Sequence, residues 1–253
     1  MAAGEGRAVL VTGASRGIGR AIARAFAERG DRVAVHWGRS RERAERTLAE
    51  LPGEGHVLVQ ADMTDADAVG AMVDGAADQL GGLDVLVNNA GVFTAHPPLT
   101  TSYEEWQAAW SQTLATNLVG AANATFRAVP HLIAAGGGAV VNVSSRGAFR
   151  GEPANPAYGA SKAGLNAFAQ SMALALAPHG ISVTCVAPGF VQTEMAREVL
   201  DGPGGDAVRA QSPFGRVARP EEVAAAVVFL ASPEAGFSTG TIVDVNGASY
   251  LRS

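Results

Sequence analysis

Short runs of β-branched residues alternate along the chain with longer stretches in which alanine and leucine recur at helical spacing. "RAVLVTG" (7–13) has the length and composition of a buried strand. "GIGRAIARAFAERG" (17–30) repeats apolar residues three and four apart and stops at a glycine, as an amphipathic helix does. The alternation continues with "DRVAVHW" (31–37) as a strand and "SRERAERTLAEL" (40–51) as a charged helix closed by Pro52. "GHVLVQADM" (55–63) is a third strand, and Thr64 with Asp67 resembles a capping box opening the helix 65–81. "LDVLVNNAG" (83–91) is a fourth strand. Ser102 and Glu105 suggest a second box, at the head of a long helix over 103–134 that carries a break. "GAVVNVSS" (138–145), "ISVTCVAPG" (181–189) and "TIVDVNG" (241–247) complete the strands, separated by helices over 156–177 and 220–232.

Strands separated by helices predict a mostly parallel sheet of seven strands with helices on both faces. The strands are near-continuous apolar runs rather than alternating ones, as a sheet covered on both sides requires. No linker or repeat divides the chain, so 1–253 reads as one domain. Residues 194–219, rich in Gly, Pro and charge, break the pattern and are expected to form a mobile lid over a site, the alternative being a surface insertion without function.

Composition mainly excludes. A net charge of −5 without any basic block argues against nucleic acid and anionic membrane as partners. No apolar stretch reaches the roughly 18 residues needed to span a bilayer, and the first residues lack a signal-peptide pattern, so a cytoplasmic location is expected. The single cysteine, Cys185, allows no internal disulfide and reads as a small buried hydrophobe. The five histidines are scattered without metal-ligand spacing, and no metal is expected.

The first chemical signal is "TGASRGIG" (12–19), between the first strand and the first helix. Gly13, Gly17 and Gly19, with Ser15, Arg16 and Ile18 among them, let the backbone approach a pyrophosphate that the free N–H groups and dipole of the helix start would attract. That makes the domain a Rossmann-type, doubly wound dinucleotide binder. The second strand ends "HWGRS" with no acid to bond an adenosine 2′-hydroxyl. Arg39 sits where a 2′-phosphate could be met, Ser40 can add a hydroxyl, and Arg16 lies in the loop. NADP is the expected cofactor.

The second signal is Tyr158 and Lys162, four apart in an otherwise small or apolar helix and hence on one face of it. A ketone that receives hydride must also receive a proton. A neighbouring ammonium should draw the phenol pKa down from about 10 toward the working range, making Tyr158 a usable acid or base.

The glycine spacing, "NNAG" at 88–91 and Tyr-x3-Lys at 158–162 together resemble the short-chain dehydrogenase/reductase family, in its order and over nearly the whole chain. The resemblance implies that Asn89, Ala90 and Gly91 border the cofactor and that Asp62, with Met63 beside it, meets the adenine. It implies that Lys162 also holds the nicotinamide ribose, and that Pro188, Gly189, Val191 and Thr193 flank the carboxamide. Ser145 precedes Tyr158 by the family's interval and would bind the carbonyl oxygen. The adjacent Ser144 should face the other way on a strand. Asn117, in "LATNLVG", resembles the helix Asn that carries a water relay from Lys162. Phe149, Phe190, Met195 and Phe214 are candidate pocket liners.

The tail "TGTIVDVNGASYLRS" and the loop "PFGRVARPEEVA" are most similar to those of 3-oxoacyl-carrier-protein reductases. The resemblance implies a small carbonyl substrate, free or on a carrier protein, and a homotetramer. "HLIAAGGGAV" and "LALAPHGIS", however, hold almost no positive charge with which to steer an acidic carrier. A binding protein of the same fold, regulatory or scaffolding, is the alternative expectation. The complete Asn117, Ser145, Tyr158, Lys162 set argues against it.

Overall fold

The structure is a computed structural model describing residues 6–252, with the side chain of Met195 outside the described set. Seven strands form one sheet: β1 (Ala8–Val11), β2 (Arg32–Trp37), β3 (Val57–Gln60), β4 (Val85–Asn88), β5 (Gly138–Val143), β6 (Ile181–Pro188) and β7 (Ile242–Val245). Their order is β3-β2-β1-β4-β5-β6-β7. Every pairing is parallel, so no strand runs against the rest. The chain builds outward from β1 to β3, then returns beside β1 with β4 and builds the other way. The reversal opens a crevice at the carboxyl ends of β1 and β4, where ligands bind in sheets of this kind.

The sheet is anchored through both faces. Leu10, Leu86, Val140 and Val183 are fully buried on one side, against α3 (Ala66–Leu80), α5 (Gly120–Ala134) and α7 (Pro156–Leu176). Val9, Val11, Val87 and Val141 are fully buried on the other, with Ile22 and Phe26 of α1 (Gly17–Ala27) and Val227 of α10 (Pro220–Leu230). Each such side chain contributes about 1.5–3 kcal/mol by burial. A slip of one residue would exchange the two faces of a strand, so the register is tightly held.

The remaining helices are α2 (Arg41–Glu50), α4 (Tyr103–Leu114), α6 (Gly147–Arg150), α8 (Glu194–Asp201) and α9 (Gly205–Arg209). Three local outcomes matter for the site. The Ser102–Glu105 capping box forms as expected. The break in the long helix is a π turn, Ala115–Val119, joining α4 to α5 without a loop and carrying Asn117. The box expected at Thr64 does not form: Asp65 caps α3, accepting from the N–H groups of Asp67 and Ala68, both at 3.0 Å. The Thr64 hydroxyl instead bonds Asp62 Oδ1 at 2.8 Å. A carboxylate one residue closer to the helix is simply the better acceptor for those donors. Among the described residues no helix is long and apolar enough to cross a membrane.

Replacing Asp65 with Ala is expected to lower stability by about 1 kcal/mol in urea melts, and replacing Thr64 with Ala by a few tenths at most. Equal losses would put the cap back at Thr64.

Candidate active site

The glycine turn is held by three elements that meet on it. His36 of β2 accepts from Gly13 N at Nδ1 (2.9 Å), while Nε2 donates to Ala61 O (3.1 Å). Asn89, just past β4, donates from Nδ2 to the carbonyls of Thr12 (2.8 Å) and Gly13 (3.1 Å). Gly13 has φ +65°, a left-handed conformation that side chains disfavour. A Cβ on Gly19 would lie 2.3 Å from Gly13 O, so helix and turn pack backbone to backbone. No side chain caps α1, and its first residues, Gly17, Ile18 and Gly19, line the crevice. An uncapped helix start in a turn closed to larger residues suits a pyrophosphate.

This turn forms one wall of a cleft of about 1060 Å³. Every residue expected to bind the cofactor lines it, from Gly13 to Thr193, and so do Ser145, Tyr158 and Lys162. Asn117 stands behind the wall. Its Oδ1 accepts from Val92 N (2.8 Å), and its Nδ2 donates to Val92 O (3.0 Å) and Ser161 Oγ (3.2 Å). A Cβ on Gly91 would meet Asn117 Oδ1 at 3.3 Å and Lys162 Nζ at 3.7 Å, so both groups converge there. The side chain of Asn117 is thus committed to protein partners, fixing the strand exit beside the cleft.

α7 begins with Pro156, and its N–H at Ala157 bonds Nε2 of the buried His96 at 3.1 Å. This distant cap sets the first turn, on which half-buried Tyr158 sits, its ring edge-on to Phe93 at 4.7 Å. Lys162 is buried, its Nζ donating to Val143 O at 2.8 Å and standing 5.7 Å from the Tyr158 ring centre. Ser145 Oγ accepts from Gly147 N at 3.0 Å. Ser144 points inward, buried, its hydroxyl donating to Lys162 O at 3.3 Å.

The titration of the pair differs from the expectation. Burial pushes the Tyr158 phenol up to about 12; hydrogen bonding to Ser145 opposes the rise without reversing it. Burial likewise pulls the Lys162 ammonium down to about 8. Desolvation dominates both shifts, the Glu152 charge adds to the rise of the phenol, and the ammonium head is tied to the Val143 carbonyl instead of the phenol. At neutral pH the phenol keeps its proton. Cys185 is buried and inert, its thiol pushed up to about 12 by burial.

At the nucleotide end, Thr64's backbone N–H and hydroxyl hold the Asp62 carboxyl below its usual range, with a smaller contribution from Arg39. Ser40 lines the cleft while its hydroxyl accepts from Arg43 N at 3.4 Å as the cap of α2. Arg43, unmarked by the sequence reading, lines the cleft and donates to Glu194 Oε2 at 2.7 Å; Arg16 stands 3.6 Å from the same oxygen. Of the candidate liners, Phe190 borders the cleft and Phe214 a smaller cavity behind it. Phe149 borders neither and lies under the Arg252 guanidinium at 4.3 Å. The Met195 side chain lies outside the described residues. Arg146 and Glu152 line the cleft and were not expected there.

Fold and cleft define a doubly wound α/β domain with a Tyr-x3-Lys pair facing its glycine turn. A family model described as Enoyl-(Acyl carrier protein) reductase matches residues 13–248. A 3-oxoacyl-[acyl-carrier-protein] reductase FabG of Staphylococcus aureus strain Mu50 is 38% identical, over 97% of this chain and 98% of that one. A cis-4-hydroxycyclohexanecarboxylate dehydrogenase of Sinomonas cyclohexanicum is 42% identical, over 95% of each. A crystal structure of a short chain dehydrogenase from Burkholderia cenocepacia J2315, in complex with NADP, superposes with a TM-score of 0.87 at 36% identity, covering 97% of this chain and 98% of that one. The chain belongs to the short-chain dehydrogenase/reductase family of oxidoreductases.

Burial pulls the His36 pKa down from 6.5 to about 4. In the unfolded chain His36 takes up its proton near pH 6.5, whereas in the folded chain it stays neutral until about pH 4. Its contribution is therefore complete above the unfolded pKa and is lost as pH falls between those values. From about pH 7 to about pH 4.5, urea melts should cost the parent chain about 2–3 kcal/mol more than the His36→Gln variant. Parallel losses would mean that His36 does not hold the turn as a neutral ring.

Proposed function

We propose that this chain is an NADPH-dependent ketoreductase. It reduces a ketone, a 3-oxoacyl compound or a related small carbonyl, to a secondary alcohol, with Tyr158 as the proton donor. The observation that carries this reading is that Ser145, Tyr158 and Lys162 open into the same cleft as the glycine turn and the uncapped start of α1. The relatives' names fit it and leave the substrate broad, since one reduces 3-oxoacyl groups on a carrier and another acts on a hydroxycyclohexanecarboxylate.

The residues fit the cofactor. Gly13, Gly17, Gly19 and the N–H groups of Ser15 to Ile18 would take the pyrophosphate. Arg16, Arg39 and Arg43 would take the 2′-phosphate, since the end of β2 brings no acid to oppose it. Asp62 and Met63 would border the adenine; Asn89, Ala90, Gly91, Pro188, Gly189, Val191 and Thr193 would border the nicotinamide end. When bound, the reduced nicotinamide supplies the hydride.

The chain's own residues do the rest. Gly147 N occupies one lone pair of Ser145 Oγ, leaving the hydroxyl proton to donate to the substrate oxygen. Tyr158, kept protonated by burial, hands its proton to that oxygen as negative charge develops there. The nearby Lys162 ammonium, mostly charged at neutral pH, favours the phenolate left behind. Its anchor on Val143 O fixes where that charge sits. Asn117 holds Val92, and with it the strand exit under Lys162. A water relay from Lys162 past this π turn belongs to the same reading, as does a lid formed by residues 194–219. The reading also includes a cytoplasmic location.

NADPH oxidation followed by absorbance with simple β-ketoesters tests it. The parent chain should turn over, with NADPH preferred to NADH. Tyr158→Phe should lose about 10²–10⁴-fold in kcat while still binding NADPH. Binding of NADPH without turnover in the parent chain would favour a regulatory or scaffold protein of the same fold.

A homotetramer is proposed on the exposed apolar residues of α5 and α7: Phe126 is 74% and Leu174 83% exposed, and Val119, the last residue of the π turn that leads into α5, is 50% exposed. Light scattering should give the mass of four chains; a one-chain mass would overturn it.

A further inference from the structure

Arg146 and Arg150 lie at the two ends of the short turn that follows Ser145. Arg146 is only 4% exposed. Its Nη1 donates to Ser249 Oγ and its Nη2 to Gln211 Oε1, both at 2.6 Å. Arg150 Nη1 donates to the same Gln211 oxygen at 3.1 Å. Two guanidinium groups thus converge on one neutral amide oxygen, carried by the segment 194–219. Among the described residues no carboxylate forms an ion pair with either. Glu152 shares the cleft, and its carboxylate accepts no hydrogen bond among the described residues; burial raises its pKa while the charges of Arg146 and Arg150 oppose the rise, so it is a nearby counter-charge and not a bonded partner of either arginine. The Phe190 ring lies 5.1 Å from the Arg146 guanidinium and lines the cleft with it.

A buried cation whose hydrogen bonds all go to neutral acceptors is costly to maintain. Here it stands next in sequence to Ser145 and lines the cleft with it, while the exposed Arg150 and the half-buried Gln211 flank it from outside the lining. The amide of Gln211 offers one oxygen where the two guanidinium groups could accept a carboxylate with two. The bonds to Gln211 are charge-assisted on the arginine side alone; a carboxylate would add its own charge and a second oxygen for bidentate pairing.

We propose that Arg146 and Arg150 form an anion subsite, and that the ketone this chain reduces carries a carboxylate away from its carbonyl, which displaces the Gln211 amide oxygen. The inference rests on the ketoreductase reading for the word ketone and on the arginine geometry for the anion. It narrows the substrate to keto acids and explains a buried charge that the hydride chemistry does not use.

The test compares 4-oxopentanoate, 5-oxohexanoate and 6-oxoheptanoate with their methyl esters as substrates with NADPH. The parent chain should prefer at least one acid to its ester by about tenfold or more in kcat/KM, chiefly through KM. Gln211→Glu sets a fixed carboxylate between the two guanidinium groups and keeps the acceptor in place. It should cut the acid-to-ester ratio by about tenfold or more. Esters reduced as well as acids, or a ratio unmoved by Gln211→Glu, would overturn the subsite. Calorimetric titration of pentanoate and hexanoate, against their methyl esters, reads the subsite without turnover. Carboxylate binding that Gln211→Glu removes supports the subsite even if no ketone is reduced, in which case the ketoreductase reading alone falls. Ester reduction without any carboxylate preference sinks the subsite alone.

Discussion

The cleft depends on how closely two strand exits approach each other. Asn89 leaves β4 and reaches across to the carbonyls of Thr12 and Gly13, where β1 ends. The backbone N–H groups of Asn89 and Ala90 both bond the Thr12 hydroxyl, at 2.9 and 3.0 Å. This stitch closes the floor of the crevice, and Gly19 packs against it so tightly that any side chain would collide. The sheet register behind it is held by full burial on both faces, so the exits have little freedom to drift apart. The position of α1, and with it any anion at its start, follows from these few contacts.

Much of this was legible in the residue pattern because the signals are local. Strand "RAVLVTG", the glycines behind it and the helix they open follow from spacing alone, as does the pair Tyr158 and Lys162 on one helical face. The contribution of His36 and His96 was not legible. Each looks like one of five scattered histidines, and each turns out to be a buried cap whose partner, Gly13 or Ala157, lies far along the chain. Arg43 was hidden for a similar reason. It belongs to a charged, solvent-facing helix, and only the fold shows that its first turn borders the cleft. The cap of α3 shows the limit of a motif. Thr64 fits a consensus, but Asp65 has the stronger acceptor and takes the donors.

The titration of Tyr158 shows what adjacency in sequence does not determine. Two groups one helical turn apart suggest an acid sharpened by its neighbour. Their burial depends on what other elements bring over them: Phe93, the end of β5, and the turn at Gly147. Enclosure raises the phenol and lowers the ammonium, so each is drawn toward its neutral form. A sequence shows which charges are neighbours but not how much water they keep.

Glu194 touches Arg43 and Arg16, and so joins α8 to both the second helix and the glycine turn. All three side chains remain about half exposed, which makes the bridge weak and sensitive to salt. An incoming phosphate on those arginines would have to take the place of a carboxylate already there. If the phosphate proposed for those arginines binds there, it competes with the Glu194 carboxylate, and by reciprocity each of the two contacts weakens the other.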